Sequence, residues 1–434
     1  MWKNIINIVL IPLLGILYFM KVHVEKYDVI VIGGGAAGMM AAGTAAKNGK
    51  SVLILEKNAD FGEKLKITGG GRCNITNYEL NDKKLLGFYG DAAPFLYSPF
   101  SQFSVKDTFT FFERRKLPLV TQARNRVFPK TEKAFDVYRV MKEFAKHENV
   151  TVKFQTPVKD LHMKSGKIHA VDTQKYRYHA ESVILSTGGV SYPETGSTGE
   201  GFKWIERLGH SVHTPSPNIV PLRASDPWIK EISGTSLSFM KITFFCNGEK
   251  SFSKTGKILF THFGLSSPLI LNSSKQVSDL IEKGPVTAEI DLFPDTDKGS
   301  VDKRILKIFE QNKNKKMKNV LTEMLPKKIA EVIVDLARFQ DPEKKVNTVT
   351  ADERKNLREL MKHLPIRIDG LMGLDRAVIA DGGVPLSEID TKTMESKVVK
   401  NLYLVGDILH VNRPSGGYSL QLCWTTGYVA GISA

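Results

Sequence analysis

Gly33, Gly35 and Gly38 stand in a Gly-x-Gly-x-x-Gly turn, and Glu56 follows a second apolar run, Val52 to Leu55, about 20 residues further on. Residues of these types at this spacing can hold a dinucleotide. Gly33 permits a tight turn, Gly35 lets the backbone approach a pyrophosphate, and Gly38 lets a helix pack close to a strand. The N–H groups that open the helix then face the phosphate charge, and Glu56 can accept hydrogen bonds from a ribose. The competing reading is a βαβ unit whose glycines serve packing alone.

Three more segments carry chemistry. In Thr68-Gly69-Gly70-Gly71-Arg72-Cys73-Asn74-Ile75-Thr76-Asn77, three consecutive glycines make a backbone able to lie against a flat ring or a phosphate. Arg72 supplies a fixed cation beside it. Ser186-Thr187-Gly188-Gly189 continues through Tyr192 to Thr195-Gly196-Ser197-Thr198-Gly199. Finally Gly406-Asp407 precedes Gly416-Gly417-Tyr418, where glycines open a helix and can bring N–H groups to the electron-rich edge of a flavin.

The nucleotide-binding pattern thus occurs at both ends of the chain, with the middle as an insertion. Flavin enzymes have this layout, with an acidic residue after the last strand meeting the ribityl chain. A dehydrogenase using only NAD needs no such closing motif. No second Gly-x-Gly-x-x-Gly preceded by a strand occurs. NAD(P)H, if it is the donor, is therefore expected to visit the flavin transiently.

Taken together, these segments resemble the BaiN-like or YhiN-like NAD(P)/FAD-dependent oxidoreductase family, which includes aminoacetone oxidase and 3-dehydro-bile-acid 4,6-reductase. The resemblance runs from about Lys26 to the C-terminus. It is carried by the Gly33–Gly38 turn, Thr68–Asn77, Tyr192–Gly199, Leu259-Phe-Thr-His-Phe-Gly-Leu-Ser266 and Thr393–Lys397. It implies an α/β fold: a Rossmann-like FAD-binding domain with an inserted β-barrel domain and a helical domain. It also implies non-covalent FAD. The expected cofactor-binding set is Gly33, Gly35, Ala36, Ala37, Gly38, Glu56, Lys57, Lys64, Gly71, Arg72, Cys73, Asn74, Val158, Thr187, Gly188, Gly189, Gly406, Asp407, Gly416, Gly417 and Tyr418. The chain departs from the family pattern in several places. Asp407 stands where Glu is commoner, His410 and Asn412 where Asp is usual, Arg413 for a small residue, and Ser267 for Gly. The loop departures bear on substrate choice, because residues 407–421 are expected near the flavin.

Candidate catalytic groups are His262, Tyr192 and Tyr418, each able to donate a proton. Each has a structural alternative: His262 as a hydrogen-bonding residue of the barrel, the tyrosines as rings stacked beside the flavin. His410 is either near the ring or a surface loop residue. Cys73 is read as a packing or flavin-contact residue, since no partner cysteine lies near. The expected reaction is hydride transfer through flavin N5, reducing an unsaturated or carbonyl small molecule. The alternatives are a flavin amine oxidase, a quinone-linked dehydrogenase or, from another class, an RNA-binding or RNA-modifying flavoprotein.

The elements that must position these groups follow from hydrophobic periodicity. Residues 27–56 read as a βαβ unit, and Thr131 to His147 as a helix. Val150 to Leu161, Lys167 to Asp172 and Ala180 to Thr187 read as strands. From about Pro215 short alternating runs appear, such as Lys241 to Phe245 and Val286 to Ile290. Lys298 to Arg338 reads as helices broken at Pro326, and Asn401 to Val405 as a closing strand. The expected division is 25–212 with 366–434 for the FAD domain, 213–297 with 340–365 for the barrel, and 298–339 for the helical domain, after an apolar segment 1–24.

The 434 residues are 42% hydrophobic and 25% charged, as in ordinary globular domains. Three dispersed cysteines (Cys73, Cys246, Cys423) argue against a disulfide framework or a zinc site, and no metal is expected. The formal net charge is +15, with nine Lys/Arg against three Asp/Glu between Val301 and Ala330. A solvated helical surface and a polyanion-binding face both account for that run, but it lacks interleaved aromatic residues, which weighs against nucleic acid. Ile5 to Met20 is almost wholly apolar, which suggests a short membrane anchor although a span needs ~20 residues. An extension upstream of the true start, or a helix on another surface, fits equally well. Either way the catalytic body is expected in the cytoplasm; the oligomeric state stays open.

Overall fold

The computed structural model describes residues 6–9, 20–23, 25–339, 341 and 343–434. The chain divides into two units. One comprises Met1–Ser216 with Ala380–Ala434, the other Pro217–Ile379.

The first unit is built on a seven-stranded sheet. Val150–Lys153, Val52–Leu55, Lys26–Ile32, Arg177–Leu185 and Leu402–Leu404 lie parallel in that order. Val29 to Ile32 and Val52 to Leu55 are buried without alternation, as expected of central strands covered on both faces. Leu402–Leu404 pairs in parallel with Val183–Leu185, so the C-terminal segment closes the sheet that the N-terminal segment begins. The helix Ala36–Lys47 follows the strand Lys26–Ile32, and the helix Tyr418–Ser433 packs against it. Glycine makes this close approach possible. A Cβ at Gly427 would lie 2.5 Å from the Ala37 carbonyl oxygen, and one at Gly431 would lie 2.5 Å from that of Ala41.

The second unit contains a closed six-stranded barrel. Its strands are Leu222–Ala224, Gly264–Ser266, Glu249–Thr261, Ser236–Cys246, Val286–Asp291 and Leu364–Leu371, in barrel order. Leu364–Leu371 alternates buried and exposed residues along most of its length, the pattern of a one-sided strand. Lys298–Gln311, Met317–Val320, Lys327–Ala337 and Ala351–Lys362 supply the helices. Pro326 is the N-cap of the third, and a Thr350/Glu353 capping box opens the fourth. The division drawn from the sequence at 365/366 falls inside the last barrel strand.

At the N-terminus, Ile6–Val9 and Met20–His23 form an antiparallel pair. The rest of the apolar run 5–20, on which an anchor would rest, lies outside the described residues. No helix among the described residues is long and apolar enough to cross a membrane.

Candidate functional site

In the first unit, the four glycine-rich segments meet at the C-terminal ends of the parallel strands. Gly33, with φ +100°, follows the first strand, and a Cβ there would lie 2.8 Å from the Ser186 carbonyl oxygen. The Ser186 hydroxyl donates to the carbonyls of Ile32 and Gly33 at 2.9 and 2.8 Å, locking the first segment to the third. Gly189 packs on Asp407, 3.1 Å separating its would-be Cβ from the Asp407 carbonyl oxygen, which joins the third to the fourth. Gly406 packs on Ala37, and Gly417 on the Thr76 backbone, so the fourth segment also touches the first and second. The side chain of Asn77 donates to the Gly416 and Arg124 carbonyls, both at 3.2 Å. The indole of Trp424 donates to the Ile75 carbonyl at 3.1 Å.

The residues present fit a bound dinucleotide. A Cβ on Gly38 would lie 2.0 Å from the Gly33 carbonyl oxygen, whereas one on Gly35 would have nothing within 4 Å. One glycine therefore serves packing, and the other keeps the backbone open to approach. The helix at Ala36 has no side-chain cap and no acidic residue in its first turn, so its first N–H groups are left for an anion. The helix at Tyr418 begins the same way, after Gly417 at φ +99°. The Glu56 carboxylate accepts from the N–H groups of Gly34 and Asn58 at 2.6 and 2.7 Å. Burial holds it above the usual carboxylate range, against the pull of those N–H groups. The Thr156 N–H donates to the Glu56 carbonyl, which brings the start of the strand Val158–Lys164 alongside.

Lys57 bonds the Thr198 hydroxyl at 2.8 Å and Glu200 at 3.1 Å, tying the Glu56 turn to the Tyr192–Gly199 loop. Lys64 donates to Ser191 at 3.2 Å. Desolvation holds its ammonium below the ordinary range, opposed by the charge of Asp407. Gly69, Gly70, Gly71 and Cys73 all have positive φ, and the Asn74 side chain accepts from the Val127 N–H at 3.1 Å. Burial pushes the Cys73 thiol up to about 12, which removes it as a nucleophile. The Arg72 guanidinium pairs with Glu132 at 2.6 Å and Gln122 at 2.8 Å, over the Phe128 ring. Its Nε is buried without a hydrogen-bond partner, as is the Thr187 hydroxyl. That hydroxyl is turned to Gly201.

Of the candidate proton donors, Tyr418 is buried between Phe88 and Tyr89, and burial raises its phenol to about 12. Tyr192 sits at φ +50° in the loop after Gly189. His262 lies in the second unit, exposed in the turn between Glu249–Thr261 and Gly264–Ser266, with its ring beside Phe263. His410 bonds Asp381 at 3.2 Å and lies against His213.

The structure adds partners that the motifs do not reveal. Arg413 forms an ion pair with Asp407. Gln421 accepts from the hydroxyls of Thr76 and Thr108 at 2.6 and 2.9 Å. The only sequence signal for the first was a cation six residues after an acid; the second had none.

The family profile described as HI0933-like protein Rossmann domain matches residues 27–433. A Haemophilus influenzae protein named ribosomal RNA dihydrouridine synthase is 29% identical over 409 residues, 93% of this chain and 97% of that protein. The 3-dehydro-bile acid delta(4,6)-reductase of Clostridium scindens is 28% identical over 408 residues, 93% and 98% of the two chains. In fold, the FrdA chain of Escherichia coli quinol fumarate reductase is similar, with a TM-score of 0.51 at 15% identity, covering 94% of this chain and 69% of that one. The chain therefore belongs to the HI0933-like Rossmann family and is an FAD-dependent oxidoreductase.

Proposed function

We propose that this chain reduces a carbon–carbon double bond conjugated to a carbonyl, with NAD(P)H as a transient hydride donor. The observation that carries the reading is the convergence of the four glycine-rich segments in the first unit, with the uncapped helix starts at Ala36 and Tyr418 among them. One end suits a pyrophosphate. The other suits the ring edge that gains negative charge on reduction. The names of two full-length relatives, a ribosomal RNA dihydrouridine synthase and a 3-dehydro-bile acid delta(4,6)-reductase, describe saturation of a ring double bond. FAD supplies hydride transfer at N5.

The chain's own residues bind and orient. Gly33, Gly35, Ala36, Ala37, Gly38 and Glu56 hold the adenosine and pyrophosphate half, with Lys57 and Val158 beside them. Lys64, Gly71 to Asn74, Thr187 to Gly189, Gly406, Asp407 and Gly416 to Tyr418 frame the other half. In the first unit, Tyr418 and Tyr192 are the groups to test for proton delivery at the substrate carbon.

The test is an anaerobic spectrum of the flavin-loaded protein, before and after NADH or NADPH and then a cyclic enone. Bleaching by a nucleotide and recovery on the enone is expected. A flavin that neither nucleotide bleaches overturns the donor. Recovery with oxygen or a quinone but not the enone replaces the reaction by that of an oxidase or quinone-linked dehydrogenase.

A second reading, an RNA substrate, is favoured by the net charge of +15. Part of the 301–330 run is already paired, since Lys316 and Lys318 share Glu343. Binding to an RNA fragment should then fall by about a thousandfold or more between 50 and 200 mM salt if six or more phosphates are contacted. Salt-insensitive or absent binding ends this reading.

A further inference from the structure

Asp407 lies at the centre of the converging segments, its backbone against Gly189, one residue after the Gly406 that packs on Ala37. Its carboxylate is paired with Arg413. Arg413 is only 3% exposed. Its Nε donates to the Ser419 hydroxyl at 3.0 Å, and its Nη1 donates to the Val411 carbonyl at 2.6 Å. All three partners lie within residues 407–419, so the guanidinium ties the loop after Asp407 to the first turn of the helix Tyr418–Ser433. The guanidinium thus compensates the Asp407 carboxylate in a buried place, where a charge left without its partner is costly.

We propose that Arg413 is a positioning residue that sets the electron affinity of the bound flavin, by ordering the 407–419 segment and compensating the negative charge of Asp407. This rests on the FAD reading above. Removing the charge weakens every state in which the flavin ring carries added negative charge. Arg and Lys share the charge but not the planar fork, so Arg413→Lys keeps the charge and Arg413→Met loses it.

The measurement is sulfite affinity of the flavin-loaded protein, read from its absorbance, with the midpoint potential as a second readout. Sulfite bonds N5 and leaves its electron pair on the ring, so it reports on local charge without turnover. R413M is expected to bind sulfite about tenfold more weakly. The same factor in the two-electron equilibrium lowers the potential by about 30 mV. R413K should stay near the parent protein. Unchanged sulfite affinity in flavin-loaded R413M overturns the proposal. If R413M does not fold, Asp407→Asn removes the carboxylate that Arg413 compensates and must shift affinity the opposite way, toward tighter sulfite binding; no shift overturns the proposal equally. Parent protein purified without any flavin spectrum would overturn the cofactor reading instead, and this is visible before sulfite is added.

Discussion

Gly38 and Gly35 belong to one motif, yet the structure gives them different work, and alanine at each should fail differently. A Cβ at Gly38 would lie 2.0 Å from the Gly33 carbonyl oxygen and 2.6 Å from the Ser186 hydroxyl. Relieving the first contact demands a shift of about 1 Å between the turn and the helix, in a region where Ile32 and Met39 are buried. Overpacking of this kind costs about 1–3 kcal/mol, and more where backbone must move. Gly38→Ala should therefore lower the melting temperature of the flavin-free protein by roughly 2–5 °C. A Cβ at Gly35 meets nothing within 4 Å, and its φ of −74° suits any residue. Gly35→Ala should cost the flavin-free protein at most about 1 kcal/mol, the difference between glycine and alanine as an N-cap. It should instead weaken FAD by about tenfold or more, or 1.4 kcal/mol, because the methyl group stands where the pyrophosphate must approach. The assay is thermal denaturation of both flavin-free variants, followed by FAD titration. Equal melting losses in the two variants, or a flavin-free G38A that melts like the parent, would refute this division of labour.

Ser267 has φ +134° and ψ 166°, a region almost exclusive to glycine, and is held there by donation to the Lys257 carbonyl and acceptance from the Ile270 N–H. Strain of about 1–3 kcal/mol at such a residue means that Ser267→Ala, which keeps the strain and loses both bonds, should be clearly less stable than Ser267→Gly in urea denaturation; the reverse order would show that the strain is absent. Gln421→Ala should cost about 1–3 kcal/mol by stranding the buried Thr76 hydroxyl, while that of Thr108 keeps the Ser104 carbonyl, with flavin released at lower denaturant; an unchanged midpoint refutes this. Cys73 should resist thiol reagents at pH 8, where the half-buried Cys246 is the natural control. The Cys73 thiol stays protonated in the fold up to about 12 but loses its proton near 8.5 when unfolded. The folded state therefore binds more protons between those values, and its contribution to stability falls as pH rises through that window; rapid native labelling of Cys73 would contradict the burial.

What could be read without coordinates was local. A turn such as Gly33–Gly38 is legible because backbone sterics act between near neighbours, and the central strands are legible because two-sided burial requires unbroken apolar runs. The closing of the sheet by Leu402–Leu404 was legible too, since Gly406-Asp407 repeats the strand-then-glycine grammar of the N-terminus. The helix Ala351–Lys362 went unread although its Thr350/Glu353 capping box was present in the sequence, because most of its residues are polar and only its inner face is buried.

Other features depended on distance along the chain. Ser186 locks Gly33 from more than 150 residues away, and Gln421 reaches Thr76 across 345. A single hydroxyl or amide carries no periodic signal, so nothing local marks such pairs. Arg72 offers the plainest case. Its residue type announced a cation beside three glycines, while the fold brought Glu132 and Gln122 against it. Residue type and spacing determined that this chain can wrap a dinucleotide. Which charges remain uncompensated around it was decided only in three dimensions, because the sign of a site depends on what the rest of the chain brings within a few ångströms.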